Sequence, residues 1–415
     1  MKTPPETIRE ESRPPDGGLC SSCGLCMSSA WPVKESVRSC VFRTGWLGEQ
    51  ERALFGRERA SAGSGDEVRF GISIRRLVGC IRKPPPGAAW SGVITRIAQA
   101  AFETGMVEAV VTLHRSNDDW FSPVPVLARS TADILAGSGN KPVVSPVLSV
   151  LESACRQGIR RLLVIGAACH IHTLRDFKRR FSYLRDMEIY TVGIPCTDNV
   201  RPQTLRRILK LISRSPETVR HYEFMQDFNV YLWHVNGGVE KVPYFCLPRE
   251  LTGSNFVVPA CMCCFDYVNS LADITVGYMG APLYRGKLYQ WIIIRSGRGA
   301  RLYDLVADQI DEIPETTAGS CKKSVRAAAV KLEKQLRAGS SAVLKTGPGM
   351  PLWPGRALAA VMKLLGPRGL EYARYGVDMH LIRNYYYVVY NYPGLVEKLV
   401  PAHVYGVLDE YGFKP

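Results

Sequence analysis

Three cysteines within seven residues, Cys20-Ser21-Ser22-Cys23-Gly24-Leu25-Cys26, constrain this chain more than any other feature, and Cys40 follows downstream. Thiolates spaced by two residues wrap one inorganic cluster corner by corner, and a distal fourth closes it. This C-x2-C-x2-C spacing is typical of a 4Fe–4S site, whereas structural zinc takes two separated pairs. No proline follows Cys40 and no second C-x2-C-x2-C run exists, so a two-cluster ferredoxin domain is excluded. The stretch Met1–Pro15 is polar and carries glutamates, without the apolar core of a signal peptide. The expected compartment is therefore the cytoplasm, or a plastid stroma if organellar, with a peripheral membrane location left open. In such a reducing compartment, thirteen cysteines point to metal or redox chemistry rather than to a disulfide framework.

A second set of thiols is dispersed. Leu162–Ile165 reads as a strand that ends just before Cys169, and Tyr190–Ile194 as a strand that ends just before Cys196. The helical pattern between them makes a βαβ unit, which delivers both thiols to the carboxyl edge of a parallel sheet, where open α/β sheets bind ligands. Cys261 and Cys264 add a C-x2-C pair. These four are enough for a second cluster, although cysteines at strand ends are also common as small core residues. Cys80, Cys155, Cys246 and Cys321 read as structural, and Cys263 is ambiguous beside a ligand pair. The seven histidines include no H-x3-H pair, so spacing does not indicate a mononuclear site.

The fold class follows from alternation. Helical patterns at Val93–Thr104, Val147–Gln157, Thr173–Phe181 and Pro202–Ile212 alternate with strands at Val107–Leu113, Arg161–Ile165 and Ile189–Ile194. That pattern predicts an α/β fold, a mostly parallel sheet with flanking helices. Beyond His221 the pattern turns to β. Phe228–His234 and Val239–Phe245 flank Gly237-Gly238 as a hairpin, and Ile274–Tyr278 and Gln290–Ile294 are further runs. The expected organisation is a flexible leader (1–19), an N-terminal iron–sulfur segment (20–90) and an α/β flavin and cluster domain (91–215). A β-rich domain with cluster ligands and helices (216–338) and a linker with C-terminal helices (339–415) follow. Residues 300–338 read as helical. No apolar run approaches the length of a membrane span.

Lys and Arg exceed Asp and Glu by 53 to 38, a net charge of +15. Such a balance suits an anionic partner. The basic residues are spread along the chain and no stacking-aromatic RNA signature is present, which argues against nucleic acid. The Gly/Ser turn containing Gly139, Asn140 and Lys141 is neither a GxGxxG nor a Walker pattern, and by itself reads as a surface turn.

Longer runs bring a family into view: Val258–Cys261 through Cys264-Phe265-Asp266-Tyr267-Val268-Asn269-Ser270-Leu271-Ala272-Asp273, then Val276–Pro282; Ser215–Val219 with His221–Asp227; and Gly366–Arg374. Over about residues 18 to 410 the chain resembles the coenzyme F420 hydrogenase/dehydrogenase beta-subunit family. Within it the resemblance is to the pigment-reducing branch of ferredoxin-dependent 3,8-divinyl chlorophyllide reductases and 7-hydroxymethyl chlorophyll a reductases. The resemblance implies FAD, two 4Fe–4S clusters and reduced ferredoxin as donor. It implies Cys20, Cys23, Cys26 and Cys40 for one cluster, Cys169, Cys196, Cys261 and Cys264 for the other, and a flavin-side loop at Gly139-Asn140-Lys141. Electrons would pass from ferredoxin through the clusters to FAD, with a protein acid or water supplying a proton. Asp198, His170, Asp266 and Tyr278 lie near the matched motifs, without an assigned catalytic residue.

Two departures stand out: Gly166-Ala167-Ala168-Cys169-His170 replaces a more usual Gly-Thr-x-Cys-Gln, and Cys263 replaces Ser. Ser28–Pro32 and Val400–Tyr405 are closer to the divinyl reductases. Reduction of an 8-vinyl group is therefore the expected activity, with 7-hydroxymethyl reduction as the alternative and a non-catalytic electron-relay subunit as a distant one.

Overall fold

A computed structural model describes residues 19–61, 65–88, 90–116, 121–248, 251, 256–284, 287–337 and 349–413. The expected leader and most of the expected linker lie outside the described residues.

The strands are β1 (Arg75–Ile81), β2 (Ala109–His114), β3 (Val124–Ala128), β4 (Arg161–Gly166), β5 (Glu188–Gly193), β6 (Val219–Phe224), β7 (Asn229–His234), β8 (Val239–Pro243), β9 (Ile274–Gly277), β10 (Leu283–Tyr284), β11 (Lys287–Leu288), β12 (Gln290–Ile294) and β13 (Ile310–Ile313). Eight of them form one sheet in the order β13-β1-β12-β9-β5-β4-β2-β3. The run β9-β5-β4-β2 is parallel. The pairings outside it, β1 with β13 and β12, β12 with β9, and β2 with β3, are antiparallel. The α/β class holds, and the parallel part is the centre of a mixed sheet.

The alternation of β4 and β5 explains the layers. Leu162, Val164 and Ile189 face one core, while Leu163, Tyr190 and Val192 face the other. A sheet buried on both faces needs helices on both. Val93–Glu103 and Gly297–Asp304 cover one side. The other side carries Ala168–Arg180, the cysteine-bearing N-terminal segment and the long helix Leu370–Asn391. A third core joins the helix Pro202–Ile212 to the meander β6-β7-β8. The Gly237-Gly238 hairpin is where the sequence places it, with β6 added as a third strand.

Residues 300–338 are not continuously helical. Gly297–Asp304 is followed by β13, which pairs with β1, before the helix Lys322–Arg337 begins. In Ile310-Asp311-Glu312-Ile313 Ile310 is buried, Glu312 exposed and the other two half-buried, a strand without a clear alternation and too short to stand out beside basic helices.

Candidate metal and cofactor site

The sheet positions two of the eight thiols directly. After β4 the chain enters the helix Ala168–Arg180 with Cys169 in its first turn, and after β5 it reaches Cys196. Asn269 clamps the two strand ends, its Nδ2 donating to the carbonyls of Gly166 at 2.7 Å and Ile194 at 3.3 Å. It does so from a left-handed backbone (φ 56°), a conformation asparagine tolerates better than most residues. The Tyr267 carbonyl accepts from the Cys196 amide at 2.9 Å, which draws the Cys261–Cys264 turn to the same edge. From the far side Asn384, on the helix Leu370–Asn391, donates through Nδ2 to the carbonyls of Cys261 (2.9 Å) and Cys264 (2.6 Å). Cys169, Cys196, Cys261 and Cys264 thus line one small cavity with Ser21 and Phe42.

The loop bearing Cys20, Cys23 and Cys26 docks beside them. The Leu148 amide donates to the Cys23 carbonyl at 2.8 Å. Gly24 sits at φ +90° with the Pro146 carbonyl where a Cβ would be, an approach only glycine permits. Trp31 Nε1 and Ser36 Oγ both donate to the Leu25 carbonyl, folding the segment back so that Cys40 meets the other three.

The electrostatics record the same partition. Burial, then the charges of Cys40 and Cys20, push Cys26 up to about 11. Burial, then Cys40, raises Cys23. In the second group burial comes first again, and the neighbouring thiols Cys261 and Cys169 raise Cys196 further. Cys169 reaches about 11 through burial and also feels Cys40, so it is the thiol at which the two groups adjoin. Crowded, desolvated thiols of this kind become thiolates only with a cation among them. Among the described residues, no three His, Cys, Asp or Glu side chains are arranged for a single metal ion. Fours of thiols around a space suit a larger, cubane body. Cys263 stands apart. Burial alone raises it, to about 12, and its charge is felt by Tyr387 and Tyr392 instead. Its carbonyl accepts from Trp46 Nε1 at 3.0 Å.

Next to the second group lies an aromatic cluster that the sequence did not reveal. Glu223, on β6, is at its centre: its charge is felt by Tyr222, Tyr244, Tyr267, Tyr278 and Tyr372. Glu223 is half-buried, and burial pushes its carboxyl up to about 7. Tyr244 and Tyr372 share a hydroxyl–hydroxyl hydrogen bond of 2.9 Å, and the Tyr278 hydroxyl accepts from the Gln226 amide at 3.0 Å. Trp90 stacks on Tyr278 with centroids 5.1 Å apart and meets His221 edge-on at 5.7 Å.

The Gly139-Asn140-Lys141 turn closes the far end. Lys141 Nζ donates to the carbonyls of Gly137 (2.7 Å), Ser138 (3.0 Å) and Gly139 (3.1 Å), so it braces its own loop. Burial and then Arg115 lower Lys141 to about 7, and the charges of Arg115, Arg220 and Lys141 add to burial in lowering His221 to about 3. Both ring nitrogens of His221 are shielded and make no hydrogen bond among the described residues. An anion entering here would shift Lys141 back up toward its ordinary range.

The other residues near the motifs separate by environment. Burial lowers His170 to about 4, so it is neutral near pH 7. Burial opposes ionisation of Asp266, but hydrogen bonds from His172 and Ser270 and the charge of Arg59 hold it well below the usual carboxylate range. Asp198 pairs with Arg383 at 2.8 Å beside the second thiol group.

Comparison with known proteins follows this geometry. The N-terminal model of the coenzyme F420 hydrogenase/dehydrogenase beta subunit matches residues 77–152, and the C-terminal model matches residues 159–317. The chain belongs to the coenzyme F420 hydrogenase/dehydrogenase beta-subunit family. Within that family it is 36% identical to the 7-hydroxymethyl chlorophyll a reductase, chloroplastic, of Oryza sativa subsp. japonica, over 98% of this chain and 87% of the rice protein. It is 38% identical to an uncharacterized protein of Nostoc sp. over 98% of this chain and 96% of that one. A chain of the F420-reducing [NiFe] hydrogenase complex from Methanosarcina barkeri superposes with a TM-score of 0.55 at 20% identity, covering 78% of this chain and 92% of that one, and shares the fold.

Proposed function

We propose that this chain is an iron–sulfur flavoprotein reductase of a chlorophyll-type tetrapyrrole, reducing the 8-vinyl group of divinyl (proto)chlorophyllide to ethyl with electrons from reduced ferredoxin. The observation that carries the proposal is the adjacency of the second thiol group, which meets the first at Cys169, to a tyrosine cluster around one protonatable carboxyl. Cys20, Cys23, Cys26 and Cys40 would hold one 4Fe–4S cluster, Cys169, Cys196, Cys261 and Cys264 the other, and the Gly139-Asn140-Lys141 turn with Arg115 the phosphates of FAD. When bound, the clusters supply one-electron transfer and the flavin supplies hydride chemistry.

The chain's own groups do the rest. Trp90 and Trp233, both half-buried, would offer flat apolar surfaces to a ring system, with buried Tyr278 stacked behind Trp90. Vinyl to ethyl consumes two electrons and two protons. Raised to about 7, the Glu223 carboxyl is the group suited to hold one of those protons among the tyrosines. A net charge of +15 suits an acidic electron donor.

The rice relative favours a second reading, reduction of a 7-hydroxymethyl group to methyl, which uses the same two electrons and two protons and releases water. Purified protein, reconstituted with iron, sulfide and FAD, is assayed anaerobically with reduced ferredoxin and either divinyl chlorophyllide or 7-hydroxymethyl chlorophyll a, with products read by pigment spectra. Conversion of the divinyl pigment supports the first reading, conversion of only the hydroxymethyl pigment selects the second, and bound FAD without turnover of either assigns a relay.

A further inference from the structure

The helix Leu352–Leu365 carries an apolar stripe on its outer side. Its inner side, at Gly355 and Ala359, is buried against the turn Tyr244–Cys246, so closely that a Cβ on Gly355 would strike the Cys246 sulfur. Outward, Trp353, Ala357, Ala360 and Leu364 follow one another at helical spacing, all exposed, with Val361 and Leu365 beside them. Trp353 is 80% exposed, Leu364 70% and Leu365 74%; single exposed apolar residues are ordinary, but these lie together along one helix.

The stretch of chain that carries the helix is basic. From residue 334 to residue 370 the sequence has six basic residues and no Asp or Glu. Arg356 and Lys363, seven apart, flank the stripe. At its end, Thr317–Ala318 pairs with Arg368–Gly369, and a Cβ on Gly319 would strike the Gly366 carbonyl. Exposed Arg368 follows Leu365 by three residues, at the end of the stripe. Among the described residues no helix is long and apolar enough to cross a membrane. A convex apolar stripe rimmed by Lys and Arg, with Trp at one end and its opposite side fixed to the protein body, is the arrangement of a helix lying in a lipid interface.

We propose that the Leu352–Leu365 helix docks this protein on an anionic lipid bilayer, with Trp353, Leu364 and Leu365 entering at headgroup depth and Arg356, Lys363 and Arg368 meeting lipid phosphate. The inference stands independently of the pigment reading.

The test is flotation of the reconstituted full-length protein with vesicles of pure phosphatidylcholine, or of about three parts phosphatidylcholine to one part phosphatidylglycerol. Binding is expected to the anionic vesicles and to weaken as salt rises. Trp353→Ala/Leu364→Ser/Leu365→Ser is expected to lower the partition coefficient by at least about tenfold with an unchanged melting temperature. Arg356→Gln/Lys363→Gln, which leaves the apolar stripe intact, is expected to lower binding to anionic vesicles alone. No binding to either vesicle, or equal binding by wild type and both variants, overturns the proposal. So does a dimer in solution that the triple variant dissolves, which assigns the stripe to a second copy, or loss of ferredoxin binding in the triple variant without any vesicle binding, which assigns it to an acidic protein.

Discussion

From the long C-terminal helix Asn384 donates to two carbonyls of the Cys261–Cys264 corner, and its removal is a sharp test of how the second thiol group is positioned. Asn384→Leu deletes both Nδ2 donations, to the carbonyls of Cys261 and Cys264. Asn384 is fully buried, so water does not replace the lost donor. A buried acceptor stripped of its partner costs about 1–3 kcal/mol. The Cys261 carbonyl keeps the Cys264 amide at 3.3 Å, which places its share at the low end. The sum is about 2–4 kcal/mol. At about 2.1 cal/mol/K per residue, 415 residues have an unfolding entropy of about 0.9 kcal/mol/K, so the melting temperature falls by about 2–5 °C. The displaced turn would also release iron, since cluster binding and folding share free energy. The assay is thermal denaturation with iron analysis on the same reconstituted samples. Asn391→Leu, on the same helix but exposed and bonded only to the Tyr387 carbonyl, should stay within about 0.5 kcal/mol of wild type. An Asn384→Leu variant that melts with wild type and keeps its iron would refute this reasoning.

Other expectations follow from neighbouring features. Glu223 is protonated below about 7, so turnover should fall as pH rises through that value, and Glu223→Gln should lose that limb. Because folding raises this carboxyl, wild type should also gain stability relative to Glu223→Gln as pH falls from above 7 toward the unfolded value; the opposite slope in urea titrations would contradict the buried position. Cys263→Ser should keep the full iron content, because Cys263 lies off the thiol group; loss of a cluster in that variant would make it a ligand. Asp378→Ala should cost about 1–3 kcal/mol, since it takes from buried Arg69 the carboxylate bonded at 2.8 and 3.0 Å and from Tyr411 its acceptor, while Glu410 still pairs with Arg69, and chemical denaturation reads this directly. With ferredoxin below saturation, turnover should decline with salt, and a flat response would remove charge steering from the account.

The parts legible in the sequence were local. Cys169 and Cys196 follow apolar strands closely enough for the βαβ unit to be read, and Pro202–Ile212 and Gln290–Ile294 have the predicted bounds. What was not legible depends on partners far along the chain. β1 lies in a charge-rich stretch and begins with two arginines, and only β12 and β13, more than two hundred residues later, make it a central strand. Glu223 was visible only as one letter of a matched run. Its chemistry arises because tyrosines from the 244, 267, 278 and 372 regions converge around it. Asn384 and Asn269 are likewise ordinary amides until the fold aims them at carbonyls of the thiol-bearing turns.

The measurement that bears most directly on the central claim is iron and acid-labile sulfide per chain in the fully reconstituted protein, with low-temperature EPR of the reduced state, compared with Cys40→Ala and Cys264→Ala. Two thiol groups each holding a 4Fe–4S cluster predict about eight irons in wild type and about four in each variant, with a different signal surviving in each. About four irons in wild type, lost together in both variants, would contradict it.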